Sequence, residues 1–241
     1  MEYSVVESST YEDLENSANI IINDVCDYYD LTKLTISVED IYNYFISNYP
    51  IEMIGFTSCG KTYKSKLLSD NSYVNLLCVE SVDPIFTKNV DGFTVKRKDK
   101  YVIELNCDLP ISRFTYTLLH ELAHVRFHLF NVNDRLFKLN SQVNANALDS
   151  KLEIEANYIA SLLFIPDEQM KEYFCHDYSY QQILNETGMS NKALFNRLKN
   201  FLRYSIQVSP VLIISWIENY RNGDSFLPKF LKKNYYQKAL F

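Results

Sequence analysis

The 241-residue sequence is poor in glycine, proline and histidine, with 5, 6 and 4 of each, and has a single tryptophan. No Gly/Ser-rich linker, internal repeat or low-complexity tract divides it, so its organisation has to be read from hydrophobic periodicity. Long apolar runs are missing as well. The best candidate, "VLIISWI" at 211–217, falls far short of the ~20 residues that span a bilayer. The acidic opening "MEYSVVESSTYEDLENS" lacks the basic and apolar regions of a secretory signal or mitochondrial presequence. A cytoplasmic protein without a membrane partner is therefore expected. The cysteines, Cys26, Cys59, Cys78, Cys107 and Cys175, are odd in number and form no CxxC pair. That argues against a disulfide framework or a thiolate zinc site and for reduced thiols.

What is present is enough for a core: 47% of residues are hydrophobic, which suits one large domain or two small ones. The net charge of −6 is unevenly spread. Residues 191–241 carry nine basic and two acidic side chains, a net of +7, which leaves 15 basic and 28 acidic, a net of −13, for residues 1–190. Such a tail either meets an anionic partner or packs on the acidic body, and packing is the preferred reading.

Thr10 and Asp13 open an amphipathic segment with Leu14, Ile21, Ile22 and Val25 that reads as a helix to about Tyr29; Ser37 with Asp40 opens a second, ending before Pro50. Short runs rich in β-branched and aromatic residues follow: "IEMIGF", "YVNLLCV", "FTVKR" and "YVIELN". They predict a small mixed or antiparallel sheet, the last two forming a hairpin. Pro110 and Ser112 start a helix through about Phe130; after a polar loop, "NVNDRLFKLNSQVNANALDS", another runs from about Ser150 to Ile165 and stops at Pro166. Two further helices flank a turn at Gly188, the second capped by Ser190, and "SPVLIISWIENY" reads as a strand or apolar helix before an extended tail. The expected class is α+β, with a soft boundary near Pro166 between a unit at 1–166 and a helical region at 167–241 with a basic tail.

Three of the four histidines fall within "LLHELAHVRFHLF". His120-Glu121-Leu122-Ala123-His124 is an HExxH sequence. Residues four apart on a helix share a face about 6 Å along the axis, so both imidazoles can converge on one ion with Glu121 beside them as a base. A catalytic zinc site takes three protein ligands and leaves one position for water. His128 cannot be the third, because eight helical residues rise about 12 Å while zinc bonds are ~2 Å long. A glycine after the second histidine followed by a third histidine is also missing, since positions 127 and 130 are phenylalanine. The next helix, "KLEIEANYIASLLFIP", supplies Glu153, or Glu155 about 200° around it, unless both are solvated charges. Asn157, sharing a face with Glu153, could accept from the outer nitrogen of a ligating histidine.

"SRFTYTLLHELAHVRFH" and "EIEANYIASLLFIP" resemble the two motif stretches of the ImmA/IrrE metallo-endopeptidases over residues 113–166. The resemblance implies a zincin-like fold, one zinc ion per chain held by His120, His124 and Glu153, a catalytic Glu121 and a supporting role for His128. It also implies a protein substrate, a helix-turn-helix repressor of a mobile element, prophage or stress operon, whose cleavage relieves repression. Tyr116 and Ala123 depart from the family's small residue and its commoner glycine. His176 and Tyr173 are candidate oxyanion donors, and the strand "YVIELN" a candidate edge for an added peptide strand.

Two rival classes stand beside hydrolysis. "QQILNETGMSNKALFNRLKNF" has helix-turn-helix spacing, with Lys192, Arg197 and Lys199 on its second helix, so a DNA-binding regulator is an alternative, though the acidic chain disfavours nucleic acid. The other is a zinc-sensing protein without hydrolysis, against which Glu121 counts.

Overall fold

Residues 5–128, 135–139 and 147–233 are described by the computed structural model of the chain. Helix α1 (Ser8–Tyr29) buries Leu14, Ile21, Ile22 and Val25, the stripe its periodicity marks, and starts ahead of Thr10. Helix α2 (Val38–Asn48) begins at a capping box, in which the Ser37 hydroxyl accepts from the Asp40 N–H at 3.2 Å and the Asp40 carboxylate from the Ser37 N–H at 2.8 Å.

Seven strands are found among the described residues: β1 (Ile51–Thr57), β2 (Ser65–Leu67), β3 (Tyr73–Asn75), β4 (Cys78–Ser81), β5 (Val90–Arg97), β6 (Lys100–Asn106) and β7 (Arg135–Leu139). β2 and β3 form a separate hairpin, and the other five make one mixed sheet in the order β4-β1-β6-β5-β7. β1 runs parallel to β4 and β6, whereas β5 is antiparallel to β6 and β7. A short helix, α3 (Pro84–Asn89), capped by the Asp83 carboxylate, leads into β5.

The structure departs from three of the expectations. "YVNLLCV" is two strands, because Leu76 N–H donates to Lys64 O at 3.0 Å and Leu77 N–H to Met53 O at 2.8 Å, so neighbouring amides serve different sheets. The stretch read wholly as polar loop contains β7, whose backbone pairs with β5 from Val90↔Leu139 to Val95↔Arg135, and the helix after it starts at Ala147. An otherwise open β5 edge offers the backbone hydrogen bonds that make so short a strand. Finally, "YVIELN" is β6, which is interior; both of its sides are taken, by β1 and β5, and no peptide can add to it. Among the described residues, the outer strands of this sheet are β4 and β7.

Two helices lie at the functional end: α4 (Ile111–Phe127) and α5 (Ala147–Phe164). Every α4 residue from Phe114 to Val125 is buried. Gly92 lets β5 approach α4 closely, since a Cβ there would stand 2.7 Å from the Thr117 methyl. The Arg113 guanidinium also ties the start of α4 to β5, donating to the fully buried Asp91 carboxylate at 2.8 and 2.9 Å. Tyr116 on α4 donates its hydroxyl to the backbone oxygen of Asn157 on α5 at 2.7 Å.

The remaining elements are α6 (Asp167–Cys175), α7 (Tyr180–Thr187), α8 (Asn191–Asn200), a π-helical turn Phe201–Ser205, α9 (Pro210–Arg221) and α10 (Phe226–Leu231). "SPVLIISWIENY" is thus helical, as α9, and α10 occupies part of the expected extended tail. One buried core takes residues from both sides of Pro166, from Tyr11 to Leu231. No helix among the described residues is long and apolar enough to cross a membrane.

Gly188 closes α7 at a left-handed φ of 64°, and a Cβ added there would meet the Cβ and backbone oxygen of Ser69, in the β2–β3 turn, at 2.8 Å. Both effects penalise a side chain. Gly188→Ala is expected to cost roughly 1–3 kcal/mol, read as a lower urea midpoint with an unchanged slope.

Candidate metal centre

His120 and His124 sit one turn apart on the face of α4 that meets α5, and Glu153 projects from α5 between them. The Nε2 atoms of the two histidines are 3.0 Å apart. Each oxygen of the Glu153 carboxylate faces one imidazole, Oε2 at 3.2 Å from His120 and Oε1 at 3.1 Å from His124. Both histidines are almost completely buried, 0% and 1% exposed, while the Glu153 side chain is 25% exposed. The cluster therefore reaches solvent on the Glu153 side.

Burial alone would raise the Glu153 carboxyl, but the two imidazoles outweigh it and hold the group well below the usual carboxylate range. It is an anion at neutral pH, the form a cation needs. These three residues are the His/Cys/Asp/Glu group among the described residues whose ligand atoms lie close enough to share an ion, all within 4.8 Å of one another. Two imidazoles and one carboxylate are a catalytic zinc donor set. Zinc bonds of ~2.0–2.1 Å at tetrahedral angles put donors roughly 3.3–3.4 Å apart. The observed 3.0–3.2 Å needs only a few tenths of an ångström of adjustment. The residues fit the metal.

Glu121 is 1% exposed, and its Oε2 accepts from the Thr94 hydroxyl on β5 at 2.8 Å. A buried carboxylate without such a donor would carry a large desolvation cost. No motif or spacing in the sequence marks Thr94. Its signal is a lone hydroxyl in a buried strand, two residues from Gly92 and so on the same β5 face, the one turned to α4. Thr94→Val removes the donor of this buried carboxylate and is expected to cost roughly 1–3 kcal/mol of stability, measured by chemical denaturation.

The other candidates lie as follows. His128 caps α4; its Nδ1 is 2.7 Å from His124 Nδ1 and its Nε2 is 3.2 Å from Glu155 Oε2. Burial, and then the neighbouring His124, push the His128 imidazole down to about 4. Glu155 thus faces His128, with Lys151 at 3.7 Å on its other oxygen, while Glu153 faces the histidine pair. Asn157, expected to accept from a ligating histidine, accepts instead from the Tyr116 hydroxyl at 3.2 Å. His176, at the exposed end of α6, pairs with Glu172 of its own helix at 3.2 Å. Tyr173 packs on Tyr178, and burial, followed by Glu186 and Tyr178, raises its hydroxyl to about 12. The contacts of both run along α6 and toward α7, with none to the HExxH residues among the described hydrogen bonds.

The cysteines are free thiols among the described residues. Burial pushes the Cys107 thiol up to about 11, far from the range of a nucleophile at neutral pH.

Of the three basic residues that mark α8, Arg197 is turned into the core, whereas Lys192 is exposed and Lys199 half-buried. Arg197 is 1% exposed, donates to Ile165 O at 2.9 Å and is paired with the buried Asp167 carboxylate. It holds the end of α5 and the start of α6 to α8. Arg197→Met would leave that carboxylate buried without its counter-charge, at an expected cost of ~3–5 kcal/mol, measured by chemical denaturation.

Residues 83–199 match the family model Peptidase_M78, the IrrE N-terminal-like domain, a span that contains the HExxH helix, the Glu153 helix and Thr94. No curated protein matched the chain.

Proposed function

We propose that this chain, which carries an IrrE N-terminal-like domain of the Peptidase_M78 family, is a zinc-dependent endopeptidase of zincin-like build that hydrolyses a peptide bond in a protein substrate. The observation that carries the reading is the convergence of His120, His124 and Glu153 with Glu121 buried next to them. His120 Nε2, His124 Nε2 and the Glu153 carboxylate would hold the metal. When bound, zinc supplies a Lewis acid and brings the pKa of a coordinated water toward ~7. The Glu121 carboxylate, oriented by Thr94, takes the proton of the attacking water and returns it to the leaving amine as the C–N bond breaks. Burial of His120, Glu121 and His124 keeps bulk water from competing for these groups.

A role limited to sensing or storing zinc has no use for a buried carboxylate adjacent to the first ligand, which favours hydrolysis. The resemblance of both motif stretches to ImmA/IrrE proteases supports a helix-turn-helix repressor as substrate. The test is to incubate the zinc-loaded chain with candidate repressors and with a proteome-derived peptide library, and to read products by mass spectrometry. Cleavage that 1,10-phenanthroline stops and added zinc restores is expected. Absence of cleavage from the metal-loaded chain, or cleavage indifferent to the chelator, would refute it.

A further inference from the structure

The histidine row of α4 does not end at His120 and His124 but continues outward through His128 to a second carboxylate. Glu155 Oε2 lies 3.2 Å from His128 Nε2, His128 Nδ1 lies 2.7 Å from His124 Nδ1, and His124 Nε2 faces His120 and Glu153. We propose that Glu155 and His128 are positioning residues that set the tautomer and orientation of His124 for the metal; this rests on the zinc site proposed above.

A neutral imidazole has one N–H and one lone pair, and a carboxylate only accepts. With Glu155 at its outer nitrogen, His128 places its proton on Nε2, and its Nδ1 becomes an acceptor. At 2.7 Å from that lone pair, His124 donates from Nδ1. The His124 lone pair is then left on Nε2, the atom that faces His120 and Glu153. The opposite order sets lone pair against carboxylate at Glu155 and leaves a proton on the ligating atom. One carboxylate at the end of the row therefore selects the metal-ready form of an imidazole two hydrogen bonds away.

Carboxylate–histidine–metal arrangements commonly have the carboxylate directly on the ligand; here a second imidazole stands between. Reach explains the insertion. Glu155 is two residues from Glu153 on α5, about 200° around the helix, and it meets the α4 row one turn beyond His124, where His128 stands. The same geometry accounts for the third histidine of the stretch, which cannot share the ion with His120.

Zinc affinity is measured by competition with a chromophoric chelator for the wild type, Glu155→Ala, His128→Phe, Glu155→Gln and Lys151→Ala, and the visible spectrum of each cobalt-substituted form is recorded. Glu155→Ala and His128→Phe are expected to weaken zinc binding about 10–100-fold and to alter the cobalt bands. Glu155→Gln, whose amide oxygen still accepts from His128, is expected to stay near wild type. Lys151→Ala, which removes only the outer ion pair of Glu155, is expected to bind like wild type. The Glu155 side chain is 23% exposed, so its truncation does not hollow out the core, and melting of each metal-free variant reports folding separately. Wild-type affinity and spectrum in both Glu155→Ala and His128→Phe would overturn the inference while leaving the zinc site standing. A wild type that binds no zinc would remove the site itself.

Discussion

Glu121→Gln is expected to bind one zinc ion per chain and to lose peptide hydrolysis by about a hundred- to ten-thousandfold. The substitution preserves the volume of a side chain that is 1% exposed and leaves an oxygen able to accept from Thr94. What disappears is the proton acceptor. The loss therefore falls on kcat, with KM and metal content near wild type, because the amide cannot take a proton from the attacking water. A variant that lost zinc as well would mean that Glu121 holds the metal site together; one that still cleaved would pass the base to another group. Metal analysis and kinetics on one preparation separate these outcomes.

Glu153→Ala is expected to do the reverse, removing the metal first and the activity with it. Two imidazoles from one helical turn remain, without the carboxylate whose two oxygens face them at 3.1 and 3.2 Å. Losing a direct ligand should exceed the ~10–100-fold that outer partners contribute to affinity. Stabilisation by zinc should vanish too once Kd exceeds the zinc concentration, since a ligand that binds only the folded state stabilises it by RT ln(1 + [L]/Kd). Differential scanning fluorimetry with and without zinc reads this directly. An undiminished thermal shift in Glu153→Ala would assign the third ligand elsewhere, Glu155 being the nearest carboxylate on the same helix.

The local features were legible from sequence because their physics is local. The capping box at Ser37 and Asp40, the left-handed stop at Gly188, the Ser190 cap and the HExxH spacing each involve residues at most four apart. Periodicity likewise marks the buried stripe of α1. The features that escaped depend on what a residue meets across the fold. β7 forms in a polar stretch because β5 offers it an edge, and Leu76 and Leu77 part because their amides find different sheets. Arg197 looks like a nucleic-acid contact on a basic helix and is a buried counter-ion of Asp167. Asn157 has the spacing to serve a histidine but is met by Tyr116, a residue bulky enough to reach it from α4. At the site itself, the pairing of His120 with His124 follows from their spacing, whereas the next helix narrows the acid only to Glu153 or Glu155 and the motif resemblance selects Glu153. Thr94 and the Glu155–His128 link were hidden, because neither partner is near the other in sequence.

The proposed centre is one ion shared by two α4 imidazoles and one α5 carboxylate. Diffraction data recorded on either side of the zinc absorption edge, from crystals grown with zinc, test it most directly. One anomalous peak within ~2.0–2.2 Å of His120 Nε2, His124 Nε2 and a Glu153 oxygen is the predicted result. A peak bound elsewhere, or a fully loaded crystal with no density between these three side chains, would contradict it.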